Sequence, residues 1–270
     1  MVMRPALVNV MAKAADKAAR GLRRDFGEVE NLQISRKGPG DFVSNADMQA
    51  QAILREELAK ARPNFGFLME EKDGAPDTSA KEERWIVDPL DGTTNFLHGF
   101  PHWCISIAAE RAGEVIAGYI YNPISDEVFW AEKGLGAFCG SNRLRVSGRK
   151  DFSECLFVTG LPFKGSMYPV PSMLGELKDV MPQVAGIRRT GSAALDLAYV
   201  AAGRFDAYWE TGILPWDIAA GMVIVKEAGG FVGSIGTKES PLTSRSILAA
   251  NPDIHPKLED ILKKAKPISA

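Results

Sequence analysis

Three cysteines, Cys104, Cys139 and Cys155, stand among 270 residues, odd in number and widely spaced. With no C-x-x-C pair they support neither a disulfide framework nor a thiolate metal site, and a reducing compartment suits them. Histidine is as scarce, with only His98, His102 and His255. Gly99 and Pro101 interrupt the i, i+4 spacing of the first two, which argues against a helical zinc-binding pair. No Lys- or Arg-rich run occurs, and 32 basic against 34 acidic residues leave a net charge of −2. That balance does not supply the basic face that direct nucleic-acid binding requires. The longest apolar runs, around residues 103–109 and 218–225, fall far below the roughly 18–20 residues that span a bilayer. The first apolar stretch is broken by Asn9 and followed by Lys13 and Asp16, which suits an amphipathic helix better than a signal peptide. A soluble, cytoplasmic protein is expected.

What is present is an ordinary globular composition, 46% hydrophobic and 24% charged, without internal repeats. Leu7, Val8, Met11, Ala14, Ala15, Ala18 and Leu22 recur at helical spacing and predict a helix over residues 6–24. A loop at Lys37-Gly38-Pro39-Gly40 precedes a second helix, marked by Ala50, Leu54, Leu58 and Ala61 and stopped by Pro63. Trp85-Ile86-Val87 reads as a buried strand that delivers Asp88-Pro89 into a turn. Runs near 103–111, 114–121 and 127–132, separated by short turns, predict an antiparallel meander. Helices are expected over 192–202 and 217–228, the second closed by Gly229-Gly230. A soft boundary near residue 147 divides one compact unit into halves 1–147 and 148–270.

The strongest local signal is Asp88-Pro89-Leu90-Asp91-Gly92-Thr93-Thr94. Two carboxylates flank a restricting proline, and Gly92 allows a tight turn whose following N–H groups could cradle a phosphate. The plain alternative is a β-turn with a self-bonding Asp. Glu70-Glu71 ends an apolar run and could equally be a strand tip in solvent. Asp47 in Ser44-Asn45-Ala46-Asp47 fits a capping box, and Asp217 after Pro215-Trp216 fits a helix N-cap. Taken singly these alternatives are comfortable; taken together they are less so. If Glu70, Asp88, Asp91 and Asp217 converge, each pair about 4 Å apart at an effective dielectric near 20 repels by about 4 kcal/mol. Several such pairs rival the roughly 5–15 kcal/mol that holds a domain together, so cations would be needed. An all-oxygen ligand set favours Mg²⁺, with Mn²⁺ as substitute, over Zn²⁺.

Asp41-Phe42-Val43-Ser44 with Asp47, Glu70-Glu71, the run from Trp85 to Phe96 and Trp216-Asp217-Ile218-Ala219-Ala220-Gly221 together resemble the inositol monophosphatase family. The stretch from Gly191 to Tyr199 and on to Trp209-Glu210 resembles its bacterial inositol-1-monophosphatase branch, and the likeness covers nearly the whole chain. The resemblance implies an α+β fold, a layered αβαβα sandwich of the sugar-phosphatase type with mixed and antiparallel sheets between helix layers. It implies hydrolysis of inositol monophosphate to inositol and phosphate by a metal-activated water, with two or three Mg²⁺ ions and sensitivity to Li⁺. Glu70, Asp88 and the Leu90 carbonyl would hold one ion, Asp88, Asp91 and Asp217 a second, and a third would sit near Glu70. Asp47, Glu70 and Thr93 would be catalytic, Thr93 with Asp47 orienting the water and taking its proton. Gly92 and Thr93 would bind phosphate; Asp91, Gly191, Ser192, Ala193, Glu210 and Asp217 would bind the alcohol. Arg188 or Arg189 would reach an anionic substrate, a solvated surface pair being the alternative. A homodimer is expected, with no membrane partner. Met69, Ser44 and Leu214 depart from the common pattern, which bears on substrate more than on reaction type. Fructose 1,6-bisphosphate, histidinol phosphate or a 3′-phosphonucleotide are alternative substrates. A different class of reading is a regulatory protein binding RNA-processing or transcription machinery.

Overall fold

The computed structural model describes residues 3–28, 34–38, 41–71, 78, 81–162 and 168–268. Helix α1 (Ala6–Phe26) buries Val8, Met11, Ala15 and Leu22 along one face and exposes Lys13, Lys17 and Arg20 on the other. It packs on α2 (Asn45–Ala61), and the hairpin β1 (Ile34–Gly38) and β2 (Asp41–Ser44) lies between them in sequence. Lys37 and Gly38 therefore belong to a strand rather than to the expected loop, while Pro39 and Gly40 lie outside the described residues.

Seven strands form the first large sheet, in sequence order: β3 (Gly66–Met69), β4 (Glu83–Asp91), β5 (Cys104–Arg111), β6 (Glu114–Asn122), β7 (Glu127–Glu132), β8 (Gly136–Cys139) and β9 (Asn142–Arg143). Helix α3 (Thr93–Leu97) follows β4. The expected meander is β5 to β7, and only the β3–β4 pair of this sheet is parallel. The second sheet has the order β11-β10-β12-β14-β13, with parallel and antiparallel pairs. Its strands are β10 (Leu156–Thr159), β11 (Gly186–Arg188), β12 (Ala207–Thr211), β13 (Phe231–Gly233) and β14 (Ser246–Ala250). Helices α4 (Val170–Val180), α5 (Ala193–Ala201), α6 (Pro215–Glu227), α7 (Pro241–Ser244) and α8 (His255–Lys264) complete the chain.

Alternation along the strands builds the layers. Tyr119 and Tyr121 of β6 face the core under α1 and α2, whereas Ile120 faces α5 and α6. On β12, Ala207 and Trp209 face the core under α4 and α8, while Tyr208 faces α5 and α6. The stack is α1/α2, seven-stranded sheet, α5/α6, five-stranded sheet, α4/α8, which is the expected layered αβαβα sandwich. Sandwiched between two sheets, α5 and α6 are buried on nearly every side, which is why they carry so few polar residues. Gly118 on β6 lets α6 approach closely, since a Cβ there would stand 2.6 Å from the Ala220 carbonyl oxygen.

Two boundaries differ from expectation. Strand β4 does not stop at Asp88 but runs on through Pro89 to Asp91. Helix α6 starts at Pro215, so Asp217 is its third residue rather than its N-cap, and Gly229 (φ +87°) follows the C-cap Ala228. Among the described residues no helix is long and apolar enough to cross a membrane.

Candidate active site

The site begins with an irregularity in β4. Asp88 pairs with Ser106 and Asp91 with Cys104, so three steps on β4 match two on β5. In a regular strand, residues three apart point to opposite faces; the bulge turns both carboxylates into one cavity. Pro89, which has no N–H to give to a ladder, sits inside the bulge. Asp88 Oδ1 accepts the Leu90 N–H at 2.8 Å, fixing the turn. Gly92 then adopts φ +99°, a conformation that favours glycine, and a Cβ there would crowd the His102 carbonyl oxygen at 3.0 Å. Thr93 and Thr94 open α3, where N–H groups lack partners within the helix.

Parallel pairing sets Met69 beside Val87, and the Glu70 N–H continues the ladder to the Val87 carbonyl at 3.3 Å. Glu70 is thereby placed next to Asp88. Behind it, Gln51 of α2 donates to the Glu71 carbonyl at 2.7 Å and accepts the Glu71 N–H at 2.9 Å. One turn earlier on α2, Asp47 is fully buried, with its Oδ2 3.4 Å from Thr93 Oγ1. The same hydroxyl reaches the Leu90 carbonyl at 3.0 Å. Asp217 Oδ2 accepts the Leu214 N–H at 2.8 Å across the first turn of α6.

Glu70, Asp88, Leu90, Asp91, Gly92, Thr93, Gly191, Ser192, Ala193, Glu210 and Asp217 all line one cavity of about 250 Å³. Asp47 lies outside that lining, reached through Thr93. Arg188 does not reach the cavity: it is exposed at the end of β11, while the next residue, Arg189, lines the cavity. Alternation at the strand end separates the two, so the candidate anion contact moves from Arg188 to Arg189. The cavity also takes in Gly160, Leu161 and Asp196, which sequence reasoning did not single out. Asp196 left one signal, as a lone acid in the otherwise apolar helix α5.

Electrostatics follow from the crowding. Burial, then Glu70, Asp91, Asp217 and Asp47, holds the Asp88 carboxyl well above the usual range. Asp217 is raised by burial, Asp91 and Glu70. Burial lifts Asp91 to about 6, opposed by hydrogen bonds to its Oδ2 from Ser192 Oγ (2.6 Å) and the Ala194 N–H (2.8 Å). Burial likewise lifts Glu210 to about 7, against a hydrogen bond from Tyr208.

Two buried acids elsewhere are matched by cations, Glu110 by Arg84 and Asp206 by Arg149, whereas Glu176 accepts from the Tyr168 hydroxyl and the Trp209 indole N–H. Among the described residues, none of the leading influences on Asp88, Asp91 or Asp217 comes from a cation. No three acidic, His or Cys side chains among the described residues close into a ready-made ion cage. The donor set is nevertheless all oxygen, anionic and shared by one cavity, which fits a hard divalent cation.

The model of the inositol monophosphatase family matches residues 3–267. An inositol-1-monophosphatase of Mesorhizobium japonicum is 54% identical over 267 residues, covering 99% of each chain. Nus factor SuhB of Escherichia coli is 38% identical over 250 residues, covering 92% of each. The crystal structure of extragenic suppressor protein suhB from Bartonella henselae superposes with a TM-score of 0.91 at 52% identity, over 96% of this chain and 99% of that one. On fold, site and sequence together, the chain belongs to the inositol monophosphatase family.

Proposed function

We propose that this phosphoric monoester hydrolase cleaves inositol monophosphate to inositol and phosphate with the aid of Mg²⁺, Mn²⁺ serving as substitute. The observation that carries the reading is the β4 bulge, which sends Asp88 and Asp91 into the cavity shared with Glu70 and Asp217. Glu70, Asp88 and the Leu90 carbonyl would hold one ion and Asp88, Asp91 and Asp217 another. Bound there, Mg²⁺ supplies charge neutralisation and a more acidic water. Thr93 Oγ1 stands between the Leu90 carbonyl and Asp47 Oδ2, so it can orient an attacking water and pass a proton to Asp47. The N–H groups of Gly92 and Thr93 receive phosphate oxygens. Glu210, with Gly191, Ser192 and Ala193, receives the alcohol, whose hydroxyls suit a carboxylate acceptor.

A phosphate-release panel tests this, using inositol 1-phosphate, fructose 1,6-bisphosphate and a 3′-phosphonucleotide with and without Mg²⁺. Inositol 1-phosphate is expected to give the highest kcat/KM, millimolar Li⁺ to inhibit, and chelation to abolish turnover. Undiminished hydrolysis under chelation overturns the reading. The likeness to proteins named Nus factor SuhB supports a second role, contact with transcription machinery, compatible with an intact acidic site.

A further inference from the structure

Glu210 is held from two sides by residues that have no part in the chemistry described so far. Residues two apart on a strand share a face, so Tyr208 and Glu210 of β12 project together. Tyr208 is fully buried in the core around α5 and α6, and its hydroxyl donates to Glu210 Oε2 at 2.7 Å. On the other side, the backbone just beyond β10 comes so near that a Cβ on Gly160 would stand 2.0 Å from Glu210 Cδ. The carboxylate is thus trapped between a phenol donor and a bare backbone. Its Oε2 is committed to Tyr208, and among the described residues no donor reaches Oε1. Glu210 itself lines the cavity, whereas Tyr208 does not and can act only through it.

An acidic side chain with three rotatable bonds normally loses that freedom when a ligand arrives, and the loss weakens binding. Here the side chain is already ordered by the fold. We propose that Tyr208 and Gly160 are positioning residues that set alcohol specificity by fixing Glu210 so that Oε1 meets one hydroxyl of a polyol phosphate. The inference rests on the phosphatase reading above. It predicts an effect on esters with hydroxyls near Glu210 and a much smaller one on an aryl phosphate, which has none to offer.

The test is steady-state kinetics in Mg²⁺ on inositol 1-phosphate and p-nitrophenyl phosphate, for wild type, Tyr208→Phe, Glu210→Ala and the double variant. Tyr208→Phe is expected to lower the ratio of kcat/KM for the inositol ester to that for the aryl ester by about fivefold to tenfold, mostly through KM. In the Glu210→Ala background the same change should move the ratio less than about twofold, because the group it positions is gone. Gly160→Ala, which displaces Glu210 from the opposite side, should lower the ratio in the same direction. Equal losses on both esters, or a ratio loss in the double variant that adds in full, overturn the inference while leaving the phosphatase reading intact. A wild type without Mg²⁺-dependent turnover of either ester overturns both.

Discussion

At Asp88, burial and four neighbouring carboxylates act in one direction, each favouring the protonated form. Asp88→Asn replaces an ionisable carboxyl in that cluster with a neutral amide and is expected to abolish turnover, by at least about a thousandfold, since Asp88 would help to hold both ions. In chelator the variant should melt at the same temperature as wild type or higher, checked by calorimetry. Titration gives a second outcome. Folding raises Asp91 from 3.8 to about 6 and Glu210 from 4.5 to about 7, so the native state binds more protons than the unfolded chain within those windows. Stability from these groups is present in full below the unfolded values and is lost as pH rises to about 7. Metal-free protein should therefore lose melting temperature between about pH 4 and 7, and Asp91→Asn should flatten that fall. At this scale the sequence was informative wherever an acid broke an apolar run, as at Asp88, Asp91 and Asp217. It was silent on Arg188 against Arg189, because adjacent residues of one type differ only in which way the strand end turns them.

Strand β4 and helix α2 carry most of the geometry. The meander at residues 103–132 was legible because its strands are long, apolar and separated by clear turns. The bulge was not: Pro89 reads as the end of a strand, and only pairing with β5 reveals that the strand continues. Short strands such as β10, β11 and β13, of three or four residues, have too few positions to display a period of two. On α2, Gln51 meets the backbone of Glu71 as donor and acceptor at once, which holds the neighbouring Glu70 against Asp88. Gln51→Leu should cost about 1–3 kcal/mol in a denaturant melt by stranding buried backbone groups. It should also raise the Mg²⁺ concentration for half-maximal activity several-fold, read from a metal titration of turnover.

Across the whole molecule, α6 is the piece on which the two sheets depend, and it also presents Asp217. Gly118→Ala forces a methyl group against the Ala220 carbonyl and the Val223 side chain. Overpacking of this kind should cost about 1–3 kcal/mol, seen as a lower melting temperature, with Asp217 displaced and kcat lowered in parallel. The five-layer architecture was legible only through the long-range likeness of separated motifs. Periodicity alone described α5 and α6 as helices without telling that sheets cover both their faces.

The order of strands in the smaller sheet bears on how the protein is made. Strand β14 pairs with β12, setting Ile247 opposite Glu210, so the strand that carries Glu210 lacks the second of its two neighbours until residues 246–250 have been synthesised. A nascent chain on the ribosome can pair β10 with β11 and β12 earlier, yet it leaves one edge of β12 bare to other polypeptides. Translation that stalls before residue 246 would therefore release a product with a sticky edge, and chaperone capture rather than slow catalysis would mark its fate.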